Sequence, residues 1–209
     1  KYEYTQHLVN YYPVVRLAYN FSRSRSLNIN YNGSTSQPNY QQLQPVTDYS
    51  NPQYLTVGNP NLRPEFNNTF SLRYNNFDFI TGDVFFSNIS FSFTQDKIVS
   101  NTFNKGLGVQ ETRYLNTNGY YTVFGFYNYS KPFNNRKYVI NYGGNVSYFN
   151  NISYLENQKN KGANWLLSQR LSTDIKIKKW LETTIGGSYS LNSTHYSLQK
   201  ALNNDASTW

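Results

Sequence analysis

The sequence predicts an all-β fold, an antiparallel up-and-down meander of about eight strands that forms part of a large transmembrane β-barrel. Apolar and polar residues alternate with a period of two along most of the chain, and no segment keeps an apolar period of 3.6 residues. The chain has 21 Tyr and 14 Phe, although its mean hydropathy is −0.70. A polar chain so rich in aromatic residues is typical of strands with one apolar and one wet side.

Four strands are predicted in the first half of the chain, in two pairs. Residues 15–21 and 27–31 alternate apolar and polar side chains on either side of a short turn at residues 22–25. Residues 66–74 and 85–93 repeat this pattern around a turn from Asp78 to Asp83, which contains Gly82. The polar sides are too polar for the core of a sandwich, so they favour a water-filled lumen.

Four more strands are predicted in the second half. The glycine-containing segment at residues 105–108 indicates a reversal, after which a fifth strand runs up to Tyr129. A turn at residues 131–136 leads to the sixth strand at 138–148, and a polar turn is predicted at Asn157 to Gly162. The seventh strand covers 171–177, Lys178 and Lys179 begin a turn, and the eighth covers 181–191.

The alternation also predicts which way individual side chains face. The residues expected on the lipid side are Leu17, Ile29, Leu72, Phe91, Val123, Ile140 and Ile185. The residues expected on the lumen side are Arg16, Asn30, Arg73, Ser92, Asn145 and Asp174. A shift of one residue in register would exchange the two sets.

The connections differ in length on the two sides of the meander. Turns near 22–25, 78–82, 131–136 and 178–180 are short, whereas Ser36 to Glu65 forms one long connection. In outer-membrane barrels the short turns are periplasmic and the long loops extracellular. We therefore expect residues 36–65 to form an extracellular loop, and the aromatic residues near the short turns to form a membrane-interface girdle.

Composition argues against several classes of function. The chain has no Cys and two His that are far apart, so no metal or cofactor site is expected. No catalytic motif is present, and we do not expect an enzyme. The net charge of +8 is spread over small groups at predicted turns, which is unlike the clustered basic surface of a nucleic-acid-binding protein.

The most specific motif lies at the end of the long connection. Gly58, Asn59, Pro60, Leu62, Pro64 and Glu65 stand in the order Gly-Asn-Pro-x-Leu-x-Pro-Glu before the strand that begins near Phe66. The two prolines restrict the backbone to extended geometry, and Glu65 is placed to satisfy backbone donors where the loop meets the strand. This segment resembles the barrel domain of TonB-dependent outer-membrane receptors, most closely the Bacteroidetes-type outer-membrane β-barrel proteins.

The resemblance implies more than these residues. Receptors of this kind have barrels of about 22 strands with an N-terminal plug. A TonB box couples the plug to an inner-membrane energy source for the uptake of substrates. Bacterial outer-membrane lipid, TonB and a surface lipoprotein or other assembly subunits are the implied partners. Neither plug nor TonB box is recognisable, so we interpret residues 1–209 as a partial barrel domain, cut at Lys1 and after the polar stretch from Asn203 to Trp209.

Ligand or partner contacts are expected in the long loop, because binding residues concentrate on loops held by a rigid scaffold. The candidates are Tyr40, Gln42, Gln44 and Tyr54. A transporter barrel for an unidentified substrate is the leading interpretation. The alternatives are a complete eight-stranded barrel acting as an anchor or adhesin, a scaffold subunit of a larger outer-membrane assembly, and a soluble all-β module that binds sugars through exposed tyrosines.

Overall fold

The computed structural model describes residues 10–209, which form a sheet of 13 strands with two very short helical segments. The N-terminal cut point predicted at Lys1 lies outside the described residues. The elements, in chain order, are β1 (Val14–Ser22), β2 (Arg25–Ser36), α1 (Tyr40–Leu43), β3 (Thr47–Asp48), β4 (Tyr54–Val57), β5 (Glu65–Phe77), β6 (Val84–Gln95), β7 (Lys97–Gly106), β8 (Val109–Thr117), β9 (Tyr120–Phe133), β10 (Tyr138–Leu155), β11 (Gln158–Lys178), β12 (Leu181–Tyr196), a 3-10 helix (Lys200–Leu202) and β13 (Asn204–Thr208).

Nine of these strands follow one another as antiparallel neighbours in the order β1-β2-β5-β6-β9-β10-β11-β12-β13, and we call them the spanning strands. The all-β antiparallel meander is thus confirmed, and the eight predicted strands are the first eight of this series. The predicted number of strands is wrong. The polar C-terminal stretch, which did not look like a strand, forms β13 on β12. Four further strands, β3, β4, β7 and β8, were also missed.

One predicted turn is also wrong. Residues 158–162, placed in a polar turn, belong to β11 and pair with residues 151–155 of β10. The turn consists of Glu156 and Asn157 alone, with φ of 50° and 64°. Two consecutive residues with positive φ match the right-handed twist of a hairpin, so the two strands need no further linker.

The register separates the side chains onto two faces. Arg16, Asn30 and Ser71 lie opposite one another on β1, β2 and β5, and Leu17, Ile29 and Leu72 do the same one residue along. Continuing through the ladder, every residue predicted for the lumen falls on the first face and every residue predicted for lipid on the second. We call these the polar face and the apolar face. Arg16, Arg73 and Asp174 share the polar face, and its assignment to a lumen stays a prediction.

Neither face is covered by a second layer. On the apolar face, Leu17 is 57% exposed and Ile185 65% exposed. The only buried Val, Leu or Ile side chains in residues 10–209 are Leu62, Val99 and Ile152. The soluble module considered above requires a buried apolar face, and the exposure of this face contradicts it. No helix in the described part of the chain is long and apolar enough to cross a membrane, a finding that has no bearing on spanning by strands.

The connections between strands differ at the two ends of the strands. At the short-turn rim the connections are residues 23–24, 78–83, 134–137 and 179–180. At the opposite edge, the loop rim, they are residues 37–64, the β7–β8 hairpin, residues 156–157 and residues 197–203. The hairpin continues β6 and β9 beyond a break at Asp96 and residues 118–119. These three buried residues all lie at the loop rim: Leu62 in the loop, Val99 on β7 and Ile152 near the end of β10.

The sheet is open within the described residues. There, β1 pairs only with β2, and β13 pairs only with β12. Residues 10–209 therefore do not form the complete eight-stranded barrel considered as an alternative, because the first strand has no closing partner among them.

The tip of the β7–β8 hairpin provides a test of the turn geometry. Leu107 has φ of 51° and a fully exposed side chain, and a left-handed residue with a Cβ costs roughly 1–2 kcal/mol. Leu107→Asn should stabilise the hairpin by about 1 kcal/mol, since asparagine tolerates this conformation. Hydrogen exchange of amides 103–111 should slow accordingly. Leu107→Val is the control and should speed exchange; unchanged exchange in Leu107→Asn would contradict the turn described here.

Candidate functional site at the loop rim

The loop of residues 37–64 is folded onto the sheet. Its short helix α1 starts with a capping box, in which the Asn39 side chain accepts from Gln42 N at 2.8 Å and the Gln42 side chain accepts from Asn39 N at 3.0 Å. Strand β4 then pairs in parallel with β8, from Tyr54 opposite Gln110 to Val57 opposite Arg113. The loop thereby adds a strand to the β7–β8 hairpin, beside β8.

The first half of the Gly-Asn-Pro motif holds the loop against α1. Gly58 N donates to Gln44 O at 3.1 Å, and Asn59 N donates to Gln42 O at 2.6 Å. A Cβ at Gly58 would stand 2.3 Å from Gln44 O, closer than any side chain can approach. Glycine at this position is therefore a requirement of the backbone contact.

The middle of the motif fastens the loop to β8. The Asn59 amide donates to Tyr114 O at 3.0 Å, and its oxygen accepts from Asn61 N at 2.9 Å. Leu62 is 3% exposed, the most deeply buried apolar side chain in residues 10–209. One amide thus satisfies two backbone groups while the neighbouring leucine fills the space beneath the loop.

Asn116 joins the loop to the break between β6 and β7. Its oxygen accepts from Arg63 N at 2.8 Å, and its amide lies 2.9 Å from Arg63 O and 2.7 Å from Asp96 O. Asp96 has φ of 52° and forms a 2.6 Å ion pair with Arg63. These three residues form a compact set of contacts, the Asn116 clamp, where the chain leaves regular strand geometry.

Glu65 closes the motif at the start of β5. Its buried carboxylate accepts from Ile98 N at 2.8 Å and lies 3.1 Å from the Lys97 ammonium. A buried carboxylate is stable only when it is paired and hydrogen-bonded, and here both conditions are met. The end of the loop is therefore tied to the first residues of β7.

The hairpin itself is attached to the turn between β10 and β11. Asn104 N donates to the Glu156 carboxylate at 2.6 Å, and the Asn101 amide donates to Asn157 Oδ1 at 2.7 Å. On the next strand, Glu111 pairs with Lys105 at 3.1 Å and with Arg113 at 2.6 Å. Burial is the largest influence on the Glu111 pKa and raises it, but the hydrogen bonds and charges of these two cations outweigh burial and hold the pKa below its usual value.

The predicted ligand contacts divide into two kinds. Tyr40 is 75% exposed and Tyr54 60% exposed, and Gln44 is exposed beside them in the loop. Within residues 10–209, the side chains of these three form no hydrogen bond and remain available to a ligand. Gln42, in contrast, uses its side chain in the capping box. That any of these four residues contacts a ligand stays a prediction.

The three polar-face residues singled out from the sequence are not brought together. Asp174 accepts from Asn141 at 2.8 Å and from Thr184 at 2.6 Å, and it forms no ion pair with Lys176. Arg73 lines a hollow of about 290 Å³ on the polar face; the other lining residues are Asn28, Asn30, Ser71, Asn75 and Asn88. Amides with one unpaired guanidinium make this hollow suited to water and polar solutes. No group of three metal-binding side chains occurs in the described part of the chain.

Sequence reasoning missed the Asn116 clamp and the β7–β8 hairpin that presents it. Asn116 and Arg63 are 53 residues apart in the sequence, so no local pattern indicates their contact. The turn of the hairpin was predicted at residues 105–108, but its two strands were not, because apolar and polar residues do not alternate from Ile98 to Phe103.

The clamp can be tested with an isosteric substitution. Asn116→Asp removes the donor to Arg63 O and Asp96 O and places an anionic oxygen against these two carbonyl oxygens. The loop should open more easily by about 2–3 kcal/mol, the usual effect of losing such hydrogen bonds, measured as faster hydrogen exchange at residues 59–63. Asn61→Asp makes the same chemical change in the same loop and should have little effect. Equal exchange in the two variants would show that the clamp does not hold the loop.

The chain was compared with known proteins. It matches the outer membrane protein beta-barrel family over residues 1–209. Among solved structures, it is similar to the siderophore receptor PirA from Acinetobacter baumannii, with 14% identity and a TM-score of 0.45, over 94% of this chain and 36% of that chain. The chain thus spans about a third of that receptor's length. A comparison with curated proteins found no significant match. Because the family model matches the whole chain, the protein belongs to the outer membrane protein beta-barrel family and lies in the bacterial outer membrane, in contact with lipid.

Proposed function

We propose that this chain is a wall section of an outer-membrane transporter barrel whose apolar face meets lipid and whose polar face lines an aqueous lumen. The observation that carries the proposal is the separation of two exposed faces on a single sheet layer. Ile89 and Ile185 on the apolar face are 50% and 65% exposed, while Asn and Ser residues line the polar face. Between hydrocarbon and water, a single sheet layer with these two faces exposes each face to the medium that suits it.

The orientation we propose places the short-turn rim in the periplasm and the loop rim outside. A membrane-spanning strand needs about 9–11 residues, but β10 has 18 and β11 has 21. About half of β11 therefore extends beyond the bilayer. The ordered contacts of the loop rim lie on this extension, which supports its exposure to the extracellular medium.

Binding is proposed at the loop rim, by the exposed side chains of Tyr40, Gln44 and Tyr54. The contacts of α1 and the Asn116 clamp fix the loop backbone, so these side chains are presented from a rigid support. Their chemistry suits a ligand with both flat apolar surface and polar groups. We propose no catalytic role.

Coupling to TonB through a plug outside this chain is proposed from the resemblance of the loop motif to Bacteroidetes-type receptors. A scaffold role is the second candidate, and one observation favours it: the loop rim exposes Val46, Tyr49 and Leu107 as well as the tyrosines above. Such a surface is suited to a surface lipoprotein or another assembly subunit.

The facing of the sheet can be tested at the middle of β6. Ile89→Arg puts a charge on the apolar face and should destabilise the inserted full-length protein by about 2–4 kcal/mol. Ser90→Arg makes a similar change on the polar face and should have only a small effect, because water can solvate the charge there. The measurement is urea unfolding of the refolded protein in vesicles. If Ser90→Arg proves the more damaging, the proposed faces are reversed.

The binding role can be tested with Tyr40→Ala, Gln44→Ala and Tyr54→Ala combined in the full-length protein. Barrel assembly should be unchanged, because these side chains form no hydrogen bond within residues 10–209. Substrate uptake or partner capture should fall by at least about tenfold, the effect of losing roughly 1.4 kcal/mol of binding. Gln53→Ala, another exposed glutamine of this loop, is the control. Unchanged uptake and partner capture in the triple variant would refute the binding role of these residues.

A further inference from the structure

Positive charge is concentrated at the short-turn rim. Eight of the 19 Lys and Arg residues lie in or beside its turns: Arg23, Arg25, Lys131, Arg136, Lys137, Lys176, Lys178 and Lys179. The acidic residues there are Asp78, Asp83 and Glu182. The net charge of +8 is therefore mostly a local property of this rim.

These cations are largely unpaired. The only Lys or Arg ion pair at this rim within residues 10–209 joins Lys131 and Asp83 at 3.6 Å, whereas the other four lie at the loop rim. Asp78 is already occupied by its own turn, because the N–H groups of Thr81 and Ile80 donate to its carboxylate and hold its pKa below the usual value. The chain thus supplies three carboxylates against eight cations at this rim, and within residues 10–209 only Asp83 forms an ion pair there.

Five of the cations line one hollow of about 590 Å³. They are Arg136 and Lys137 from one turn, and Lys176, Lys178 and Lys179 from the next. Glu182 is the one acidic residue of the lining, and it forms no ion pair with any of the described residues. A concave surface lined by charges of one sign concentrates ions of the opposite sign.

Apolar and aromatic side chains border the same hollow. Trp180 is 77% exposed and Ile177 is 53% exposed, and both line it with Leu181. The Lys178 ammonium lies 5.3 Å from the Trp180 ring, and the Lys137 ammonium lies 5.5 Å from the Tyr138 ring. Aromatic rings beside cations are typical of protein surfaces at the headgroup level of a membrane.

We propose that this hollow is a binding site for an anionic phospholipid of the leaflet around the short-turn rim. The lipid phosphates contact Arg136, Lys137, Lys178 and Lys179, and the acyl chains lie against Trp180, Ile177 and Leu181. A soluble polyanion would account for the cations but would leave the exposed apolar border unused. The proposal rests on the proposed orientation, in which this rim lies in the periplasmic, phospholipid leaflet.

The test uses full-length protein in neutral detergent with the variant Lys178→Gln/Lys179→Gln. The probes are cardiolipin, phosphatidylcholine, lipid A and inorganic phosphate, and the readouts are bound lipid by native mass spectrometry and the shift in Tm. Cardiolipin should bind and raise the Tm of the wild type. Each cation near an anionic surface contributes roughly fivefold, so the double variant should bind cardiolipin about 30-fold more weakly.

The matched control is Lys161→Gln/Lys200→Gln, which removes two exposed cations from the loop rim and should leave cardiolipin binding unchanged. Equal losses in both double variants, or binding of phosphatidylcholine as tight as that of cardiolipin, would overturn the site. A Tm shift by phosphate alone as large as that by cardiolipin would show a simple anion site and overturn the lipid assignment. Preference for lipid A, lost in Lys178→Gln/Lys179→Gln, would place this rim outside and overturn the orientation. Uptake by the wild type would be unaffected by any of these outcomes, so the transport proposal is judged separately.

Discussion

A peptide N–H or C=O group inside a bilayer has no water to bond with, so the neighbouring strand must supply its partner. The spanning strands do this in an unbroken antiparallel order from β1 to β13. Because the backbone ladder holds the sheet together, a buried core is unnecessary, and Leu62, Val99 and Ile152 are the only buried Val, Leu or Ile residues in residues 10–209. The side chains are then free to match hydrocarbon on one face and water on the other, which reconciles a mean hydropathy of −0.70 with a membrane location.

The requirement that a neighbouring strand supply every backbone partner is relaxed at the loop rim, where the strands extend beyond the length that a bilayer needs. Irregular backbone is allowed there, and side chains rather than ladder neighbours satisfy many of its polar groups. Asparagine suits this purpose because one amide both donates and accepts, as Asn59, Asn101 and Asn116 each do. Rigidity at this rim comes from many specific contacts between residues far apart in sequence.

The parts of the fold that lipid constrains could be predicted from the sequence, and the parts in water could not. Alternation located eight spanning strands and the division of their side chains between two opposite faces, since a strand with one apolar side has a period of two. Residues 158–162 and β13 are polar on both faces, so the period disappears and the strands resemble turns. Within the loop, the prolines and Gly58 marked an ordered segment, but the Asn116 clamp depends on a chain reversal that no local pattern contains.

The two rims also differ in how they can balance charge. A long loop and an extended hairpin can fold back, and they bring Asp96 to Arg63 and Glu65 to Lys97. The short turns lack this reach, and the carboxylate of Asp78 is taken up by the N–H groups of its own turn. Cations placed there must be neutralised from outside the chain, and the nearest dense source of anions beside a membrane protein is the phosphate layer of the bilayer. Turn length therefore determines which rim forms ion pairs within the chain and which rim draws its anions from outside the chain.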